Sequence, residues 1–244
     1  MNPAPNTEGA HRLRYVIVNA DDLGLSPGVN RGILDAHRTG VVTSTSLLVD
    51  RPASRAAAGA VRQITGLSVG VHIDMADVDG RPLADLSDPA ACRAEVTRQV
   101  NRFTALLDRL PTHLDSHRTV HRLPAALPAF QEVAAAHRLP LREHALPAYV
   151  PHFYGQWDGS AHPDHISTEA LIRLLTGLGP GWSEVGCHPG YVDGSLRSSY
   201  RHERELELAA LVDPRVRPAA EELGITFVSF ADLPADATAA GGGS

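Results

Sequence analysis

The sequence predicts a single α/β domain, a (β/α) barrel of about seven strands, and three observations carry the prediction. Short β-branched runs alternate with longer segments of helical period, the pattern of βα units on a mostly parallel sheet. The 244 residues, 43% of them hydrophobic, suffice for one large core. Chemistry-bearing side chains gather at the carboxyl ends of the expected strands, the rim on which active sites of such barrels are built. A doubly wound open sheet is the alternative. With no G-x-G-x-x-G after the first strand, a dinucleotide site is disfavoured.

Strands are expected at RYVIVNA (14–20), VVTSTSLLV (41–49), LSVGVHI (67–73), PTHLDSH (111–117), LPLREH (139–144), SEVGCH (183–188) and ITFVSF (225–230), each a short run rich in β-branched or apolar residues. Helices fall between them. Ser26 and Pro27 form an N-cap and first-turn pair opening SPGVNRGILDAHRTG, and Gly40 stands in the usual closing position. Helical period recurs in ASRAAAGAVRQI, PAACRAEVTRQVNRFTALLDRL, PAALPAFQEVAAAH, STEALIRLLTGL and ERELELAALVDPRVRPAAEELG, the last with a break near Pro214. Residues 145–165 lack both periods and read as a long loop, a frequent home for substrate contacts. The ends, 1–12 and 233–244, read as disordered, which leaves 13–232 as the domain.

Composition excludes several partners. A net charge of -6 and a pI near 6.1 provide no basic stripe for phosphates, so nucleic acid is not expected. No window approaches the roughly 18 consecutive apolar residues of a membrane span. Two cysteines cannot build a disulfide framework, and the first residues carry neither a basic cluster nor an apolar core, so the expected location is the cytoplasm. The 13 histidines are numerous, but many stand beside Arg in helices expected to be exposed, so position and not number is informative.

Asp21 and Asp22 follow the first strand, His72 ends the third, His117 the fourth and His188 the sixth. Singly, His72 and His117 read as satisfied core histidines. Joined by the Asp pair they form a set of one carboxylate and two imidazoles for one divalent metal ion, with positions open for water and substrate. Adjacent carboxylates need a compensating cation or hydrogen bonds. A metal provides the cation, so that one Asp binds it while its neighbour stays free as a general base. At strand alternation His113, Asp115 and His117 share a face, which lets Asp115 hold a ligand imidazole from behind. His121 shares that side only if the chain has turned helical; a capping or surface role is the alternative. Cys187, next to His188 in an extended segment, points to the opposite face, so a Cys/His dyad is not expected. His188 is left to protonate a leaving group or steady an oxyanion.

The stretches NADDLGLSPGVNRGI, GVHI, PTHLDSHRTVH and CHPGY, in this order between about Val16 and Phe230, resemble the YdjC-like carbohydrate deacetylases, the group of the chitooligosaccharide and hopanoid-biosynthesis deacetylases. The resemblance implies a distorted, polysaccharide-deacetylase-like (β/α) barrel and metal-dependent hydrolysis of an N-acetyl group on a sugar. It further implies Asp22, His72 and His117 as metal ligands, Asp21 as the base, and His188 as the residue matching the family's C-H-P histidine. Two departures stand out: Arg118 and Thr119 replace two histidines of D-S-H-H-H-V-H, and Asp74 places a charge two residues past His72. The metal is expected to be zinc, which imidazoles favour, or magnesium, which the resemblance allows. A homodimer through exposed helical faces is a further expectation. Two rival functions are a metal-dependent phosphoesterase, for which Arg142 would hold the phosphate, and a non-catalytic sugar-binding protein.

Overall fold

The computed structural model describes residues 13–234. The first strand, β1 (Arg14–Leu23), is buried along Val16–Leu23, in keeping with its apolar run Val16–Val18, after which the polar Asn19 interrupts it. It is followed by α1 (Pro27–Thr39), β2 (Ser44–Leu47), α2 (Ser54–Val61), β3 (Ser68–Ile73), α3 (Pro89–Leu107), β4 (Leu114–Ser116), α4 (Leu127–His137) and β5 (Ala148–Val150). A small hairpin, β6 (Gln156–Trp157) and β7 (Ser160–Ala161), leads to α5 (Thr168–Thr176), β8 (Gly181–Cys187), α6 (His202–Leu211), α7 (Val216–Glu222) and β9 (Ile225–Phe227). The helix ends follow local chemistry. Ser26, Asp88 and Ser167 cap α1, α3 and α5 by accepting a backbone N–H, the first two next to a proline, and Gly40 closes α1.

Seven strands form one parallel sheet in the order β4-β3-β2-β1-β8-β5, with β9 also on β1. Strand β8 lies along residues 14–20 of β1, so β2, beside Asn19–Leu23, and β9, beside Arg14–Val16, share the other edge. The sheet curls into a barrel that its hydrogen bonds leave open. Its two faces differ in kind, as strand alternation requires. Val18, Ala20, Val69, Val71, Val185 and Cys187 belong to the apolar core. Asn19, Asp21, Ser46, His72, Asp115 and Glu184 are buried on the polar face, bonded to one another or through Arg142.

Three local expectations are corrected. Residues 139–144 are not a strand; only Leu141 bridges to Leu114, because Arg142 and Glu143 turn toward charged partners instead of continuing a ladder. The seventh strand of the sheet is β5, inside the segment expected to be all loop, where Tyr149 pairs with Glu184 of β8. Asp21 and Asp22 lie within β1, not after it. The disorder expected at the two ends falls outside the described residues, Leu233 and Pro234 excepted.

Candidate active site

In a regular strand Asp21 and Asp22 would point to opposite faces. The pairing of β1 with β2 shifts register between Ala20 and Leu23, and Asp22 takes a left-handed backbone with φ of 70°. This bulge re-aims the second carboxylate, and both aspartates line one cleft of about 430 Å³. The same cleft is lined by His72, His117, His188 and Arg142.

Asp22 Oδ1 lies 3.0 Å from His117 Nδ1 and 3.4 Å from His72 Nε2. Two donors each about 2.1 Å from a common ion are separated by roughly 3.0–3.4 Å at angles of 90–109°, so both Asp22–imidazole separations suit a shared divalent cation. Behind them, Asp115 Oδ1 sits 2.7 Å from His72 Nδ1, with Ser46 Oγ at 3.3 Å. That contact assigns the proton to Nδ1 and leaves the Nε2 lone pair for the cleft. Asp21, His72 and Asp115 form a second close group. There, however, a guanidinium already occupies both carboxylates.

That guanidinium is Arg142, 3% exposed. It donates from Nη1 and Nη2 to the two oxygens of Asp21 at 2.7 and 2.8 Å, from Nη2 and Nε to Glu184 at 2.6 and 2.9 Å, and lies 2.9 Å from Asp115. The Tyr149 ring packs on it, 4.6 Å from centroid to guanidinium carbon. Burial pushes the Asp21 carboxyl up, but Arg142 outweighs it and holds the acid below the usual carboxylate range. Glu184 is the least compensated of the three, and burial drives it up to about 7.

Asp22 is held from its other side. Arg204 Nη2 donates to Oδ2 at 2.6 Å, and Arg204 with His117 overcomes burial to keep Asp22 well below the ordinary range. His188 follows β8, and its loop is pressed onto α1 at Gly32, where a Cβ would collide with Gly190. Its ring Nε2 stands 3.9 Å from Asp21 and its Nδ1 3.8 Å from Glu207 of α6. Glu207, fully buried, also accepts the His188 backbone N–H and the Tyr200 hydroxyl. Burial lowers the His188 pKa, and the Glu207 carboxylate more than reverses this, so the imidazole holds its proton more tightly than a free histidine does.

The remaining sequence candidates are placed as follows. Asp115 touches His72. Arg142 is buried among carboxylates, 2.7 Å from Asp21, with no guanidinium edge free for a phosphate. His121 is fully buried between Ser116 at 2.6 Å and Glu143 at 3.2 Å, away from the Asp22, His72 and His117 cluster. His113 stacks on Phe230 at 3.8 Å over the space that Gly70 leaves open, and burial lowers its pKa to about 4. Asp74 is neutralised by Arg51. Arg118 and Thr119, at the departure from the family pattern, both adopt left-handed backbone at the cleft mouth. Cys187 is buried, its thiol donating to the Asn19 carbonyl. Sequence reading did not single out Arg204, Glu207, Glu184 or Asn19. Only the buried positions of Asn19 and Glu184 inside apolar strands carried a signal.

Similar proteins match along nearly the whole chain. A carbohydrate deacetylase from Geobacillus stearothermophilus is 36% identical, covering 90% of this chain and 98% of its own length. A chitooligosaccharide deacetylase from Serratia marcescens is 32% identical over 90% and 99%. The crystal structure of an Enterococcus faecalis protein described as acting in cellobiose-phosphate cleavage matches with a TM-score of 0.79 and 27% identity, over 91% of this chain and 99% of that one. A family 4 carbohydrate esterase from Streptomyces lividans, 16% identical with a TM-score of 0.56 over 88% and 91%, shares the fold. Residues 15–222 match the model of the YdjC-like proteins, so the stretches from NADDLG to CHPGY, the curled sheet and the aspartate-histidine cleft are those of a chain that belongs to the YdjC-like family.

Proposed function

We propose that this protein is a metal-dependent N-deacetylase that hydrolyses the acetamide of an acetylated amino sugar or short oligosaccharide, releasing acetate and a free amine. The observation that carries the proposal is the convergence of Asp22, His72 and His117 within ligand distance of one another, with Asp21 and His188 beside them on the same cleft. The deacetylase names of the curated relatives support it. When bound, a divalent cation, zinc or magnesium, supplies Lewis acidity at the acetamide carbonyl and lowers the pKa of a water. Asp22, His72 and His117 would hold that cation, and Asp115 fixes the His72 tautomer.

Asp21 is the base that takes the proton of the attacking water. Its bidentate bond to Arg142 and a 2.8 Å hydrogen bond from Asn19 fix its direction. His188, its pKa raised by Glu207, gives a proton to the nitrogen as the amide C–N bond breaks. Tyr154, edge-on to His188 at 5.5 Å and stacked on Tyr200 at 4.7 Å, adds an aromatic wall suited to a sugar face. The phosphoesterase reading gave the phosphate to Arg142, which is instead bonded to Asp21, Asp115 and Glu184. We take residues 13–232 as the catalytic unit, and cytoplasmic location and a homodimer as expectations for fractionation and light scattering.

The test is acetate release from a panel of N-acetylated mono- and oligosaccharides, with and without chelator. Chelator-sensitive release is expected. Tight sugar binding without release in the presence of metal would instead favour a non-catalytic sugar-binding protein.

A further inference from the structure

Arg204 is built into the site more firmly than a surface partner would be. Its side chain is 3% exposed. All three of its nitrogens are engaged: Nε with the Tyr200 carbonyl at 3.0 Å, Nη1 with the His188 carbonyl at 3.3 Å and Nη2 with Asp22 Oδ2 at 2.6 Å. Anchored to two backbone carbonyls, the guanidinium cannot swing aside to release Oδ2. Asp22 therefore turns only Oδ1 toward the two imidazoles.

Two consequences follow for any cation held there. A carboxylate with one oxygen occupied by a guanidinium cannot chelate through both, a mode much used by Ca²⁺. The formal charges of Asp22 and Arg204 also cancel, so two neutral imidazoles are left to supply the affinity. Hard cations such as Mg²⁺ and Ca²⁺ rely on carboxylate oxygen and its charge, whereas zinc-like ions bind imidazole nitrogen well. Asp21 and Asp115 both bond Arg142, which offsets one of their two charges, and neither is the carboxylate that meets His117.

We infer that Arg204 is a positioning residue that restricts Asp22 to one coordinating oxygen and cancels its charge, making the centre selective for an imidazole-preferring transition ion over Mg²⁺ and Ca²⁺. The inference rests on the metal centre proposed above. Its test reads binding and not turnover. The full chain, stripped with chelator, is titrated with Zn²⁺ against a chromogenic chelator and with Mg²⁺ and Ca²⁺ by calorimetry, for the parent and for Arg204→Gln and Arg204→Lys.

The parent is expected to bind Zn²⁺ at least ~1,000-fold more tightly than either hard ion. Arg204→Gln loosens Asp22 and removes the opposing charge. Zn²⁺ affinity should fall about tenfold while Mg²⁺ and Ca²⁺ hold or gain, narrowing the ratio by about tenfold or more. Arg204→Lys keeps the charge and should leave the hard ions weak. A parent that binds Mg²⁺ as tightly as Zn²⁺ overturns the inference, with no variant required. So does a folded Arg204→Gln chain whose Zn²⁺ to Ca²⁺ ratio stays within about twofold of the parent's. His117→Ala separates the two levels: if it loses Zn²⁺, the centre stands and only the role of Arg204 fails; if it keeps Zn²⁺, the centre itself is wrong.

Discussion

Replacing Arg142 by Met removes the guanidinium from a cluster of three buried carboxylates. Each pair at 2.7–2.9 Å has a gross attraction of about 6 kcal/mol at an effective dielectric near 20, against which desolvation stands. Breaking a buried pair by deleting one partner costs roughly 3–5 kcal/mol, a large share of the 5–15 kcal/mol that holds a typical domain together. Glu184 already titrates near 7, so it sheds its charge readily, and the cost falls on Asp21 and Asp115. Both titrate below ordinary carboxylates in the parent, so their ionisation favours folding above about pH 4. In Arg142→Met the main influence opposing burial is gone and only the weaker pull of neighbouring histidines remains, so both carboxyls move upward and the variant loses stability as pH rises through the acid range. Urea unfolding should therefore show a deficit that is largest at pH 7–8 and shrinks toward pH 5. A deficit below about 1 kcal/mol at pH 7.5, or one that grows on acidification, would refute the reasoning.

Three further outcomes are expected. Asp21→Asn should retain bound metal, measured by elemental analysis, and lose about 100- to 10,000-fold in turnover; full rate with metal bound would remove Asp21 from the base role. Glu207→Gln withdraws the charge that raises the His188 pKa, and since an acid must carry its proton, activity should fail at a lower pH. The alkaline limb of the kcat/KM profile then moves down, whereas a uniform loss of rate without that movement would mark Glu207 as merely structural. Gly70→Ala forces a methyl against the His113 ring, pinned by Phe230, and should cost about 1–3 kcal/mol by chemical denaturation; unchanged stability would show that the ring can yield.

The alternation of apolar runs with helical segments, and the caps at Ser26 and Gly40, are consequences of hydrophobic period and backbone donors that act over a few residues. They made the parallel sheet, α1 and the shared rim of Asp21, Asp22, His72, His117 and His188 legible in the sequence. Residues 139–144 misled because an apolar dipeptide before Arg142 resembles a strand, while its backbone leaves the ladder after one bridge. Strand β5 was illegible because three residues are too few to show a period, and only the edge of β8 gives them partners.

What the sequence by itself determined is therefore which residue types stand at the carboxyl ends of which strands, since that is local periodicity. The tertiary structure alone decided how their charges are compensated. Arg142 reaches Asp21 across 121 positions and Arg204 reaches Asp22 across 182, separations over which no periodic pattern carries information. The positive φ of Asp22, which turns two neighbouring carboxylates into one cleft, likewise follows from the register β1 keeps with β2 and not from the residues themselves.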